Sequence, residues 1–102
     1  AKSAFVHKPA AVISSSRRAG SITSMDVLNK HLSISEMPIV TSNYWNEVHG
    51  HTPSDVEQDR EGLDTMYALG KNMAWMLKCI EAGKKAGIEV PQNKKRTTNF
   101  IR

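Results

Sequence analysis

The sequence predicts an α/β fold built on a parallel sheet, and three observations carry that expectation. Residues 10–23 read AAVISSSRRAGSIT: a short apolar run, a polar turn, then the start of a helical pattern. Residues 37–42, MPIVTS, form a second short run with strand character. Apolar residues recur at helical spacing both between these runs and after them. Strand, helix and strand within about 35 residues fit one right-handed parallel βαβ unit.

The first strand is expected over residues 9–15, with Val12 and Ile13 as its buried part; Pro9 is tolerated at the first position of a strand. Residues 16–20 make the turn. Gly20 marks a tight bend or a place where something approaches the backbone closely. Ser21 and Thr23 both suit the N-cap of the following helix. Ile22, Met25, Leu28 and Leu32 fall at spacings of three, three and four, a core-facing stripe for a helix over 21–32. The second strand, 37–42, belongs at a sheet edge, because Pro38 cannot donate to a ladder.

In an open α/β sheet, ligands sit at the carboxyl ends of the strands. Ser15, Ser16, Arg17, Arg18, Ala19 and Gly20 occupy such an end. Backbone N–H groups at the helix start, with Arg17 and Arg18, favour an electron-rich partner. The same residues also fit a surface loop with two solvated arginines.

Residues 43–53, NYWNEVHGHTP, read as a long irregular loop, and loops with such side chains are often functional or interfacial. Tyr44 and Trp45 suit stacking on a planar ligand or anchoring a subunit contact, while Trp45 also suits capping the core. His49, Gly50 and His51 lack a third ligand, so no metal site is expected, and backbone hydrogen bonding is the plainer role for each histidine. Ser54 and Glu57 fit a capping box. Asp55, Glu57, Asp59 and Glu61 put negative charge at a helix start.

The helix they open is expected to continue to about residue 86. Its apolar face is Leu63, Met66, Tyr67, Gly70, Met73, Ala74, Leu77 and Ile80. Gly70 and Ala74 allow close approach of a neighbour. Trp75 lies off the centre of that face, in a position to meet another subunit. Lys84 and Lys85 suit the last turn, Gly87 a left-handed cap, and Pro91 prevents continuation.

A chain of 102 residues is expected to hold one domain, here residues 1–90, followed by a basic tail, 91–102. The tail carries Lys94, Lys95, Arg96 and Arg102 and no acid, whereas the other residues balance ten bases against ten acids. That is a weak signal for nucleic acid, which is not an expected partner. Phe100 and Ile101 suggest that the tail's end docks somewhere, although a mobile tail is the default. Cys79 stands alone, so an intrachain disulfide is excluded, and its place in a helical pattern suggests core filler. With no apolar run near the ~18 residues of a membrane span and no signal peptide, the expected location is the cytoplasm and no membrane partner is expected.

Two strands and two helices leave apolar sheet surface uncovered and a strand edge unpaired. There is no Gly-rich phosphate loop. The chain reads as the back half of a doubly wound domain. KPAAVISSSRRAGSIT, then MPIVTSNYWNEVHGHTPSDVEQDREGLDTMYALGKNMAWMLK, then TTNFIR resemble the C-terminal half of the NADPH-dependent FMN reductases. These are flavodoxin-like proteins that include multimeric flavodoxins and iron–sulfur flavoproteins. The likeness covers about residues 5–102. Its most specific parts are Arg17-Arg18-Ala19-Gly20, Tyr44-Trp45-Asn46, His49-Gly50 and the Gly70–Trp75 segment. Ala19 stands where the family often has a second glycine.

The resemblance implies a three-layer fold whose full domain has a parallel sheet of order 2-1-3-4-5, this chain supplying the fourth and fifth strands as a C-terminal βαβα part. It implies FMN as cofactor, NADPH or NADH as reductant, and hydride and electron transfer carried by the flavin. Ser15–Gly20 would lie at the pyrimidine edge of the ring, and no side chain need act as acid or base. The family is commonly dimeric or tetrameric, so Tyr44, Trp45, His49 and Trp75 become candidates for a subunit interface or for ring stacking. The expectation is therefore a fragment of an NAD(P)H-dependent flavin oxidoreductase that forms a homo-oligomer and is inactive alone. The alternative is a non-catalytic α/β module that oligomerises and binds an acidic partner through its basic tail.

Overall fold

The computed structural model describes residues 2–101, so Ala1 and Arg102, the latter counted in the basic tail, lie outside the described residues. After a single 3₁₀ turn, Lys2–Ala4, the order is β1 (Ser14–Ser16), α1 (Ser21–Ile34), β2 (Glu47–His49), α2 (Pro53–Gln58) and α3 (Arg60–Lys85). The class is α/β, and the sheet is a parallel pair in the register Ser14 with Glu47, Ser15 with Val48 and Ser16 with His49.

Both strands differ from the expected ones, for one reason. The first run pairs twice: Ala10 bridges Ile39 in parallel, and Ser14–Ser16 then pair with β2. Ala10 donates to Pro38 O at 2.9 Å and accepts from Val40 N at 2.8 Å. After Val40 the second run leaves the ladder, so the strand expected at 37–42 shrinks to that bridge. It returns at residue 47, inside the stretch expected to be an irregular loop. Asn46 spans the gap, its Nδ2 donating to Val12 O at 3.1 Å in place of a backbone donor. Ser42 Oγ holds Asn46 Oδ1 at 2.5 Å and so fixes the excursion between them.

Helix α1 starts at Ser21, but neither Ser21 nor Thr23 caps it. Gly20 is the N-cap, left-handed at φ 96°, and no side chain completes the cap. Of the expected stripe only Met25 is buried, while Ile22 and Leu28 are exposed. The buried residue beside Met25 is Ser21, one turn earlier.

The long helix is two helices. Thr52, not Ser54, caps α2: its side chain accepts from Asp55 N, and Asp55 returns to the Thr52 N–H at 3.1 Å. Asp59 then breaks the run and caps α3 by accepting from Gly62 N at 3.0 Å. Gly62, Thr65 and Leu69 are the buried positions of α3, which packs on β2. Gly87 is left-handed at φ 84°, as a terminal glycine should be.

Apolar burial is slight. Met25, Val40, Val48 and Leu69 are the buried apolar side chains among the described residues, and Ile13, expected inside, is exposed. Cys79 is also exposed, not core filler. Tyr67, Gly70, Ala74, Trp75 and Leu77 on α3 are exposed. Phe100 is 90% exposed, so the tail's apolar end docks on nothing within the chain. The accessible surface is 8423 Å², against about 5,700 Å² for an ordinary folded monomer of this mass. The radius of gyration is 17.2 Å, against about 13 Å for a compact domain of this length. No helix among the described residues is long and apolar enough to cross a membrane.

Candidate functional site

The parallel pairing brings the last residues of β1 and β2 side by side. Ser16 sits opposite His49, and Gly50 N donates to Ser16 O at 3.1 Å. Ser16 Oγ lies 3.4 Å from His49 Nδ1 and accepts from Ser21 Oγ at 2.7 Å. His49 Nε2 lies 3.5 Å from Glu47 Oε1. Because Ser21 supplies the proton between the two hydroxyls, the Ser16 proton can point at His49 Nδ1. That order leaves the other ring proton on Nε2, the nitrogen on the Glu47 side.

Arg17, Arg18, Ala19 and Gly20 follow in a fully exposed turn. Gly20 has no atom within 4 Å of where a Cβ would stand, so its backbone is open to a flat ligand. Ser24 N donates to Gly20 O at 3.0 Å, the first helical bond of α1. The N–H groups of Ser21, Ile22 and Thr23 precede the first possible partner carbonyl, and α1 has no side-chain cap. Donors at the positive end of a helix therefore follow directly on the turn that carries Arg17 and Arg18, at the carboxyl end of β1.

The site is held from behind by Asp59. Its Oδ2 accepts from His49 N at 2.7 Å and its Oδ1 from Gly62 N. The His49 amide first, then the Gly62 amide, hold its carboxyl below the usual aspartate range. Tyr44, Glu47, His49, Asp59 and Thr65 line a cleft of about 200 Å³ on this side.

The structure thus brings together Ser16, His49 and the turn through Gly20. Tyr44 and Trp45 stand on the excursion, both half-exposed, their rings 6.2 Å apart and tilted by 44°. Trp45 lines a cavity with Met25 and Asn29 that none of Ser15–Gly20 enters. Trp75 is not part of the site; it borders an apolar groove with Ile80, Ile88 and Val90 at the far end of α3. Among the described residues no three His, Cys, Asp or Glu side chains are grouped to hold a metal.

Ser21, Asn46 and Asp59 do not stand out as site residues in the sequence. Asp59 had a signal, an aspartate three residues before a glycine at a helix start, obscured by the neighbouring acids Asp55, Glu57 and Glu61. Asn46 had none, since its bond to Val12 joins residues 34 positions apart. No protein-family model, curated protein or solved structure matches the chain.

Proposed function

We propose that the chain supplies the ring-edge part of an FMN site in a flavodoxin-like, NAD(P)H-dependent flavin oxidoreductase that works as a homo-oligomer. The observation that carries this reading is the uncapped start of α1 beside the end of β1. Open amides there, an unobstructed Gly20 and two exposed arginines suit the carbonyl-bearing edge of a flat, electron-rich ring. The sequence resemblance supports the same residues.

The turn amides of residues 15–20 would donate to the pyrimidine edge. Arg17 and Arg18 would offset negative charge on the ring, and the Ser21–Ser16–His49 series would hold a proton next to it. Bound FMN would supply the hydride and electron chemistry itself, and NADPH or NADH the reducing equivalents. The flavin phosphate falls to another loop of the complete fold.

The large exposed surface and the bare face of α3 support the assembly. Burying apolar area stabilises by about 25 cal/mol per Å², so several hundred Å² rivals the whole stability of a small domain.

Fluorescence titration of this chain with FMN and with lumiflavin, which lacks the ribityl phosphate, tests the division of labour. Both should bind weakly and alike, at about 100 µM or above. Low-micromolar quenching specific to FMN would mean that the phosphate is held here, and would overturn it.

A further inference from the structure

At the far end of α3 the chain turns back on itself. Gly87 is left-handed at φ 84°, so its N–H reaches Lys84 O and the N–H of Ile88 reaches Gly83 O at 2.9 Å, which closes the helix. Ile88 thereby comes close to Gly83, and with Val90 it forms a groove of about 500 Å³ that also takes in Trp75 and Ile80. Lys84 and Glu89 line it too, one charge of each sign, so apolar contact decides what it takes. Trp75, Ile88 and Val90 are each more than half exposed, and no described segment of the chain fills the groove.

The same chain carries an apolar pair with no place to go. Phe100 is 90% exposed and Ile101 87%. The root of the tail is pinned: Pro91 O accepts from His7 Nε2 at 2.8 Å, and Asn93 Nδ2 donates to Glu36 Oε1. Beyond Asn93 every described residue is exposed, and Ile101 N donates to Asn99 Oδ1, two residues back. Residues 94–99, KKRTTN, resist folding back. They hold no glycine or proline to make a turn, three successive cations repel one another, and two β-branched threonines favour extended backbone. The seven steps from Asn93 to Phe100 span at most about 25 Å. An arm that projects and does not reverse meets the groove of a neighbour, not its own.

We propose that Phe100 and Ile101 of one copy seat in the Trp75–Ile80–Ile88–Val90 groove of a second copy, whose tail does the same in return. This rests on the homo-oligomer reading above and names its contact. The exchange is self-complementary, as a two-fold assembly requires. Phe100 alone brings about 150–250 Å². Two arms, with Ile101 and the matching groove walls, bury on the order of 1,200 Å², enough for a stable interface. Lys94, Lys95 and Arg96 remain in water on the span between the copies.

The test mixes two forms of the whole chain. One carries a maleimide nitroxide on Thr98→Cys in a Cys79→Ser background; the other is the native chain labelled with ¹⁵N. Paramagnetic broadening of the Trp75 indole N–H and of the Ile88 and Val90 amides in the native copy is expected. Adding Phe100→Ser to the nitroxide-bearing chain should weaken the exchange about tenfold or more, as loss of a buried aromatic anchor does. Because Thr98 and Phe100 are exposed, these substitutions leave the fold intact. Broadening confined to samples with both labels on one chain would put the tail in its own groove and overturn the proposal. An oligomer by sedimentation without broadening at these groups would overturn it and leave the homo-oligomer reading standing, whereas a monomer would overturn both.

Discussion

The carboxylate of Asp59 accepts the backbone N–H of His49 at 2.7 Å, and its other oxygen accepts the N–H of Gly62. One side chain therefore ties the end of β2 to the start of α3. Because His49 faces Ser16 across the sheet, Asp59 also sets where the last residue of β1 lies relative to its neighbour. Local capping and the placement of the candidate site are the same interaction.

Asp59→Asn is expected to cost about 1–2 kcal/mol at neutral pH, the usual worth of a helix cap and of a hydrogen bond to a charged acceptor. The pH dependence has a definite sign. The folded carboxyl titrates below the ordinary aspartate range, so its stabilisation is complete above the unfolded pKa and is lost as pH falls through the folded one. Urea unfolding at pH 7, 4 and 3 should show stability falling with pH in the native chain and a smaller fall in Asp59→Asn. Equal slopes would show that Asp59 is not the anchor.

Two glycines of α3 should respond in opposite directions to alanine. A Cβ on Gly62 would stand 3.1 Å from Val48 Cα and 2.9 Å from Asp59 Cγ, so Gly62→Ala should destabilise by about 1–3 kcal/mol despite its better helix propensity. A Cβ on Gly70 meets nothing within 4 Å, so Gly70→Ala should stabilise the isolated chain by about 1 kcal/mol. Thermal melts of the two variants check both signs.

Gly20 separates strain from ligand contact. At φ 96° a β-branched residue is strongly disfavoured, so Gly20→Val should lose about 1–2 kcal/mol of stability whether or not a flavin is present. Gly20→Asn keeps access to the left-handed region and should melt close to the native chain. Its side chain would still reach into the open space where the ring is proposed. Lumiflavin affinity in Gly20→Asn is therefore the cleaner readout, and a several-fold loss is expected. Unchanged affinity would place the ring elsewhere.

Assembly is expected from the exposed face of α3. Sedimentation equilibrium at low micromolar concentration should give at least a dimer, and Leu77→Glu should weaken it tenfold or more, about 1.4 kcal/mol. If the face is packed closely against another copy, Gly70→Leu should break the assembly although it crowds nothing within the chain. A monomer with a cooperative melt would show that the described surfaces need no partner.

The sequence was most informative where physics is local. Gly20, Gly87 and the helical spacing around Met25 mark turns and helices, because backbone freedom and periodicity act within a few residues. It misled where a side chain substitutes for backbone. Asn46 replaces a ladder bond at Val12, so the second run slides out of the sheet and β2 forms eight residues after the Ala10–Ile39 bridge. Asp59 interrupts what periodicity alone reads as one helix. Ile22 and Leu28 on α1, and Tyr67 and Leu77 on α3, fit the pattern of a core face yet are exposed, since pattern records what a face is suited to touch and not whether this chain supplies it. For the site, Ser16, His49 and the arginine turn were legible as a strand end and a loop. Their adjacency required the parallel register.

The central claim is that the 15–20 turn and the start of α1 meet the edge of a flavin ring. Amide NMR of the isotopically labelled chain, titrated with lumiflavin, tests it most directly. The account predicts saturable shifts concentrated at Ser16–Thr23, largest at Gly20, with Met25, Asn29 and Trp45 unmoved. Absence of shifts at Gly20, or their concentration around Asn29 and Trp45, would contradict it.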